Sequence, residues 1–148
     1  MSRTYTSLHY HIIFGTKNRE PLLDASWRTR LHEYVGGSVN GLGGFSQGVG
    51  GVADHVHLLA GLKATHCLAD VVREIKKASS VWIRNEIGVS GFAWQEGYAA
   101  FTISARSREE VRHYIADQEK RHRKRDFRGE LMEMLRIAQI DFDEAYVC

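Results

Sequence analysis

The stretch Gly50-Gly51-Val52-Ala53-Asp54-His55-Val56-His57-Leu58-Leu59-Ala60 decides how this chain folds. Side chains two apart on an extended strand share a face, so Val56 and Leu58 turn into a core while His55 and His57 project together from the other side. Residues 36–51 hold eight glycines in sixteen positions, which excludes helix there. Together they predict a hairpin, with one strand near Phe45–Val49, a turn over Gly50–Asp54 and a second strand over His55–Ala60.

Working outward, Tyr10–Thr16 reads as a buried strand. Asp24 is placed to cap a helix reaching about Val39, with Trp27, Leu31, Tyr34 and Val35 at helical spacing. Thr65–Ile87 is the clearest helix: Leu68, Val71, Val72, Ile75, Ser79 and Trp82 form one stripe, and Gly88 and Gly91 end it. Tyr98–Ser104 reads as a fourth strand. Ser107 and Glu110 have capping-box spacing and open a helix through about His122, and a last helix covers about Gly129–Ile140. The order is β-α-β-β-α-β-α-α. Its first six elements match the split βαβ pattern, so the expected fold is α+β and ferredoxin-like: an antiparallel four-stranded sheet with helices on one face, plus C-terminal helices. The whole of 1–148 is expected to form one domain.

Composition is that of an ordinary globular protein, 43% hydrophobic and 26% charged. No apolar leader opens the chain and no apolar run is long enough for a bilayer, so a cytoplasmic, membrane-free protein is expected. The two cysteines, Cys67 and Cys148, form neither a disulfide framework nor a metal motif. Net charge is only +2, but Lys120-Arg121-His122-Arg123-Lys124-Arg125 concentrates cations in one place. Such a run marks a local polyanion site or a solvated helix end.

Two side-by-side imidazoles can share one divalent metal and leave positions open for water or substrate, as a catalytic centre requires. His55 and His57 form such a pair. His9 and His11 form another, ranked second because the apolar run after His57 marks a central strand. Each pair alone also recurs by chance in exposed strands. Farther on, Val111, Tyr114, Ile115, Gln118 and His122 keep helical spacing. Tyr114 and Gln118, one turn apart, emerge side by side. A tyrosine hydroxyl can attack phosphorus and hold it covalently, and Gln118 offers a carbonyl oxygen as a third ligand. The same tyrosine also fits a plain helix stripe. Competing motifs fail: position 59 is leucine, not the third histidine of a histidine-triad nucleotide hydrolase, and no phosphate-binding G-x-x-x-x-G-K-[ST] loop occurs.

His55-Val56-His57, followed by Tyr114 with Gln118 four residues on, resembles the signature of single-tyrosine HUH transposases of the insertion-sequence and REP-associated type. The resemblance extends over nearly the whole chain. It takes in Tyr10-His11-Ile12-Ile13-Phe14, Thr16-Lys17-Asn18-Arg19, Ile75-Lys76 with Ser79-Ser80, Trp94-Gln95 with Gly97-Tyr98, and His113-Tyr114-Ile115 with Gln118-Glu119. Val52-Ala53 stands where many members have Met-Pro, a change of turn and not of ligand. The resemblance implies that His55, His57 and Gln118 hold Mg²⁺ or Mn²⁺ and that Tyr114 cleaves single-stranded DNA with hairpin ends, leaving a 5′-phosphotyrosine and a free 3′-hydroxyl. It further implies a homodimer, and a DNA grip from Lys17, Arg19, Lys120, Arg121, Arg123, Lys124 and Arg125. The alternatives are a domesticated or non-catalytic hairpin-binding protein on the same fold, and an unrelated His-x-His metalloprotein in which Tyr114 has no role.

Overall fold

The computed structural model describes residues 3–147, so Cys148 lies outside the described residues; Cys67 is free and exposed. The elements are β1 (Leu8–Gly15), α1 (Ala25–Gly41), β2 (Phe45–Val52), β3 (His55–Leu62), α2 (Leu68–Trp82), β4 (Ala99–Ile103), α3 (Arg108–Ala116), α4 (Gln118–Arg121) and α5 (Phe127–Ile137). The four strands form one antiparallel sheet in the order β2-β3-β1-β4, the ferredoxin-like arrangement expected. Among the described residues no helix is long and apolar enough to cross a membrane.

The period of two along the central strands divides their side chains between two environments. On one face, Ile12, Phe14, Val56, Leu58 and Ala60 pack against Leu31, Val35 and Val39 of α1 and Val72 and Ile75 of α2 in the main core. On the other, Ile13 meets Phe127 and Leu131 of α5 and Val147 of the tail in a smaller cluster. The C-terminal segment therefore roofs the face that carries His55 and His57, and every residue of β3 is buried.

Several expectations are corrected. The glycine-dense stretch does not exclude helix at its start: α1 runs through Gly36 and Gly37 to Gly41, capped at its start by the Asp24 carboxylate on the Ser26 amide. A Cβ on Gly36 would lie 2.9 Å from Ser46 Oγ, so the missing side chain lets α1 rest on β2. The hairpin turn is shorter than expected, two residues at Ala53–Asp54, because pairing continues to Val52↔His55. Finally, the helix expected over 107–122 breaks at Asp117, whose amide turns back to the His113 and Tyr114 carbonyls. The Ser107 side chain makes no capping bond to the helix, and the basic run leaves helical structure after Arg121. The long helix also starts later, at Leu68, and closes with a π-helical turn over Ile83–Ile87 before Gly88 at φ 92°.

The residue blocks around β4 act as a brace. Lys76 Nζ donates to the Gln95 carbonyl at 2.7 Å and the Gly97 carbonyl at 2.8 Å, and Trp94 Nε1 donates to Ser79 Oγ at 3.0 Å. Gln95 Oε1 in turn accepts from the Gly15 amide at 2.7 Å, tying this loop to the end of β1 next to His55.

On the opposite side of the sheet, α3 lies directly on β2. A Cβ added at Gly50 would come 2.3 Å from the Ile115 carbonyl oxygen, beside Tyr114. Gly50→Ala must therefore push α3 outward, with an expected loss of about 1–3 kcal/mol in urea denaturation. Gly37→Ala, with nothing within 4 Å of the new methyl group, is expected to be neutral or to stabilise α1 by up to about 1 kcal/mol in the same assay.

Candidate active site

β3 begins at the hairpin, and its first and third residues, His55 and His57, are both 0% exposed. Their Nε2 atoms converge below α4 and α5. His55 Nε2 lies 3.1 Å from Gln118 Oε1 and 3.5 Å from Glu130 Oε1, and His57 Nε2 lies 3.1 Å from the same Glu130 oxygen. His122 Nε2 completes the group, 2.9 Å from Gln118 Oε1 and 3.1 Å from Glu130 Oε1. The Tyr114 hydroxyl donates to Glu130 Oε2, which also accepts from Gln118 Nε2 at 3.2 Å. The break at Asp117 thus does not separate Tyr114 from Gln118, whose amide nitrogen still points to the Tyr114 carbonyl at 3.4 Å.

The outer nitrogens of the two histidines are held as well. Asp54 Oδ1 accepts from His55 Nδ1 at 2.7 Å, and His57 Nδ1 lies 2.7 Å from His11 Nε2. The rival pair is therefore divided: His11 shares this face and supports His57, whereas His9 bonds to Ser7 and Gln47 away from the group.

Burial governs the protonation of the cluster. It pushes His57 down to about 4, an effect that its contacts with Glu130 only partly oppose, and His11 down to about 3, where the neighbouring His57 adds to it. Burial also disfavours a charged His55, but hydrogen bonds to Asp54 and Glu130 outweigh it and raise its pKa above the usual value. Glu130 would be raised by burial, yet the imidazoles of His122, His55 and His57 hold it far below the carboxylate range. Burial, reinforced by the Glu130 carboxylate, raises Tyr114 well above an ordinary phenol.

Glu130 was not among the residues expected here, although its position carries a signal. Phe127, Glu130, Leu131 and Met134 fall at i, i+3, i+4 and i+7, so a carboxylate occupies the apolar stripe of α5. His122 falls in the tyrosine stripe, where its spacing alone assigns it no chemistry. Of the expected DNA-gripping cations, Arg121 lies over the Tyr114 ring, its Cζ 4.3 Å from the centroid. Arg123 and Lys124 are exposed on the turn beyond, and Arg125 pairs with Glu133. Lys17 and Arg19 sit apart in a short turn after β1, lining a depression with Trp94 and Gln95.

A family model described as "Transposase IS200 like" matches residues 4–118, most of the chain. The chain belongs to the IS200-like transposase family. Its fold also matches a protein of Deinococcus radiodurans R1 assigned provisionally as a transposase, with a TM-score of 0.64 and 25% identity over 78% of this chain and 93% of that one. A REP-associated tyrosine transposase bound to a REP hairpin has the same fold, with a TM-score of 0.53 and 17% identity over 78% of this chain and 67% of that one. No curated relative matches in sequence. The family match ends at Gln118, so this transposase's His122, Phe127 and Glu130 lie beyond it.

Phe127 forms the lid of the cluster, its ring stacked on His55 at 3.9 Å and 3°. Phe127→Ala is expected to cost about 3–5 kcal/mol in chemical denaturation, as for other large buried aromatics.

Proposed function

We propose that this single-domain transposase nicks and rejoins single-stranded DNA through a covalent bond to Tyr114. The observation that carries this reading is the meeting of Tyr114 with His55, His57 and Gln118, from two distant parts of the chain, in one hydrogen-bonded group. A phenol beside convergent imidazoles and an amide oxygen suits nucleophilic attack on a phosphodiester.

The donor set fits a divalent cation. Gln118 directs its amide nitrogen to Tyr114 and Glu130, which leaves Oε1 facing the histidines. Asp54, purely an acceptor, takes the proton on His55 Nδ1, so Nε2 is the nitrogen that a neutral His55 would offer to a cation. His55, His57 and Gln118 would hold Mg²⁺ or Mn²⁺, which when bound would draw charge from the non-bridging oxygens of the scissile phosphate. Tyr114 Oη forms the new bond to phosphorus as the bond to the 3′-oxygen breaks, leaving DNA attached by a 5′-phosphotyrosine. Glu130 Oε2 accepts the hydrogen bond of the phenol and so orients it, and the phenolic proton ends on the departing 3′-oxygen, which leaves as a hydroxyl. Because the phosphotyrosine link conserves the bond energy, a 3′-hydroxyl reverses the step and joins strands. Arg121, over the tyrosine ring, and the exposed Arg123 and Lys124 lie where a DNA backbone approaching Tyr114 would pass. Lys120, Arg125, Lys17 and Arg19 extend that grip.

A hairpin beside the cut is the proposed recognition element, by analogy with the REP-hairpin complex of the structural relative. Two copies are proposed to pair as a homodimer, with each tyrosine placed, as here, at its own chain's histidines.

The test is a covalent protein–DNA band on a denaturing gel, with single-stranded DNA carrying the chain's own genomic flanks and Mg²⁺ or Mn²⁺. Wild type is expected to give a metal-dependent band, and Tyr114→Phe none. Tight binding without any band from wild type would favour the non-catalytic hairpin-binding reading.

A further inference from the structure

Glu130 and His122 are not needed by the three-ligand centre just proposed, yet they crowd into it. The nearest ligating atoms of His55, His57, His122 and Glu130 all lie within 4.8 Å of one another. Around a cation with bonds of about 2.1 Å, neighbouring ligand atoms lie about 3.0 Å apart in an octahedron and about 3.4 Å apart in a tetrahedron. The Glu130 Oε1 separations, 3.5 Å to His55, 3.1 Å to His57 and 3.1 Å to His122, fall on that scale. So do the Gln118 Oε1 separations of 3.1 Å to His55 and 2.9 Å to His122.

The protons point the same way. Asp54 accepts from Nδ1, so in the neutral form His55 would turn its Nε2 lone pair toward two oxygens, Gln118 Oε1 and Glu130 Oε1. A divalent cation at that point would satisfy the nitrogen and both oxygens at once. The side chain of Glu130 is 2% exposed, and a carboxylate buried to that degree also requires positive charge beside it. The geometry points to Glu130 as a bridging ligand, with Oε1 joining His55, His57 and His122 on one divalent cation while Oε2 holds the Tyr114 hydroxyl beside it. This rests on the metal-assisted reading above and extends it by two ligands from outside the family-matched segment. Three imidazoles with a carboxylate suit the first-row ions, of which Mn²⁺ binds most weakly, whereas Mg²⁺ favours oxygen ligands and its own water. Of the two ions proposed above, the centre therefore takes Mn²⁺.

The experiment titrates Co²⁺, Mn²⁺ and Mg²⁺ separately into chelator-treated full-length protein without DNA. Co²⁺ is followed by its visible absorption, and the other two by competition against it. Circular dichroism melts confirm that each variant is folded. Wild type is expected to bind Mn²⁺ more tightly than Mg²⁺. Glu130→Gln and His122→Ala are each expected to weaken Co²⁺ binding at least about tenfold, the loss that even outer-sphere changes typically cause. Glu130→Asp, which keeps the charge, is expected to recover part of it. Unchanged affinity and spectrum in Glu130→Gln and His122→Ala, with binding abolished in His55→Ala, would overturn the inference and leave the three-ligand centre standing. Tighter binding in Glu130→Gln would overturn it too, because the carboxylate would then be occupying the cation's place. Binding indifferent to His55→Ala as well would overturn both readings.

Discussion

A central strand covered on both faces cannot leave polar side chains to water, and the rest of this structure follows from that constraint. β3 has a strand on either side, α1 and α2 beneath and the C-terminal helices above. His55 and His57 must therefore find partners within the protein, because an unpaired buried polar group costs about 1–3 kcal/mol. Asp54, His11, Gln118 and Glu130 supply them, and His122 holds Gln118 and Glu130 in turn. What looks like a catalytic constellation is thus also the internal polar structure of the second core.

The two faces of the sheet divide the labour. The apolar face fixes the strands, and its brace through Lys76, Trp94 and Gln95 fixes the end of β1. With that side rigid, the opposite side holds polar groups at hydrogen-bond distances. Glycine makes the second layer possible: at Gly50 the tyrosine helix approaches the backbone of β2 more closely than any side chain would permit. The glycine-dense stretch provides a pair of close-packed seats, one for α1 and one for α3.

Membership of the IS200-like transposases rests on residues 4–118, which include both histidines, the tyrosine and the glutamine. The segment after Gln118 closes over that shared arrangement. Phe127 stacks on His55, and Glu130 reaches the tyrosine hydroxyl and three imidazoles at once. His55 and His57 are fully buried, and the group's partly exposed members are Tyr114 and His122.

By itself the sequence determined what depends on short-range periodicity. Alternation placed His55 and His57 on one face and Val56 and Leu58 on the other, and helical spacing put Gln118 one turn from Tyr114. The order of elements was enough for the ferredoxin-like sheet, since few topologies accommodate it. Only the tertiary structure decided which of the two His-x-His pairs joined the tyrosine, and that Glu130 and His122 stood with them. Those contacts span up to 75 residues, from His55 to Glu130, and periodicity has no reach across such a distance. A glutamate in an apolar stripe reveals that it is buried, but the atoms that neutralise it become known only when the helix that carries it is laid on the sheet.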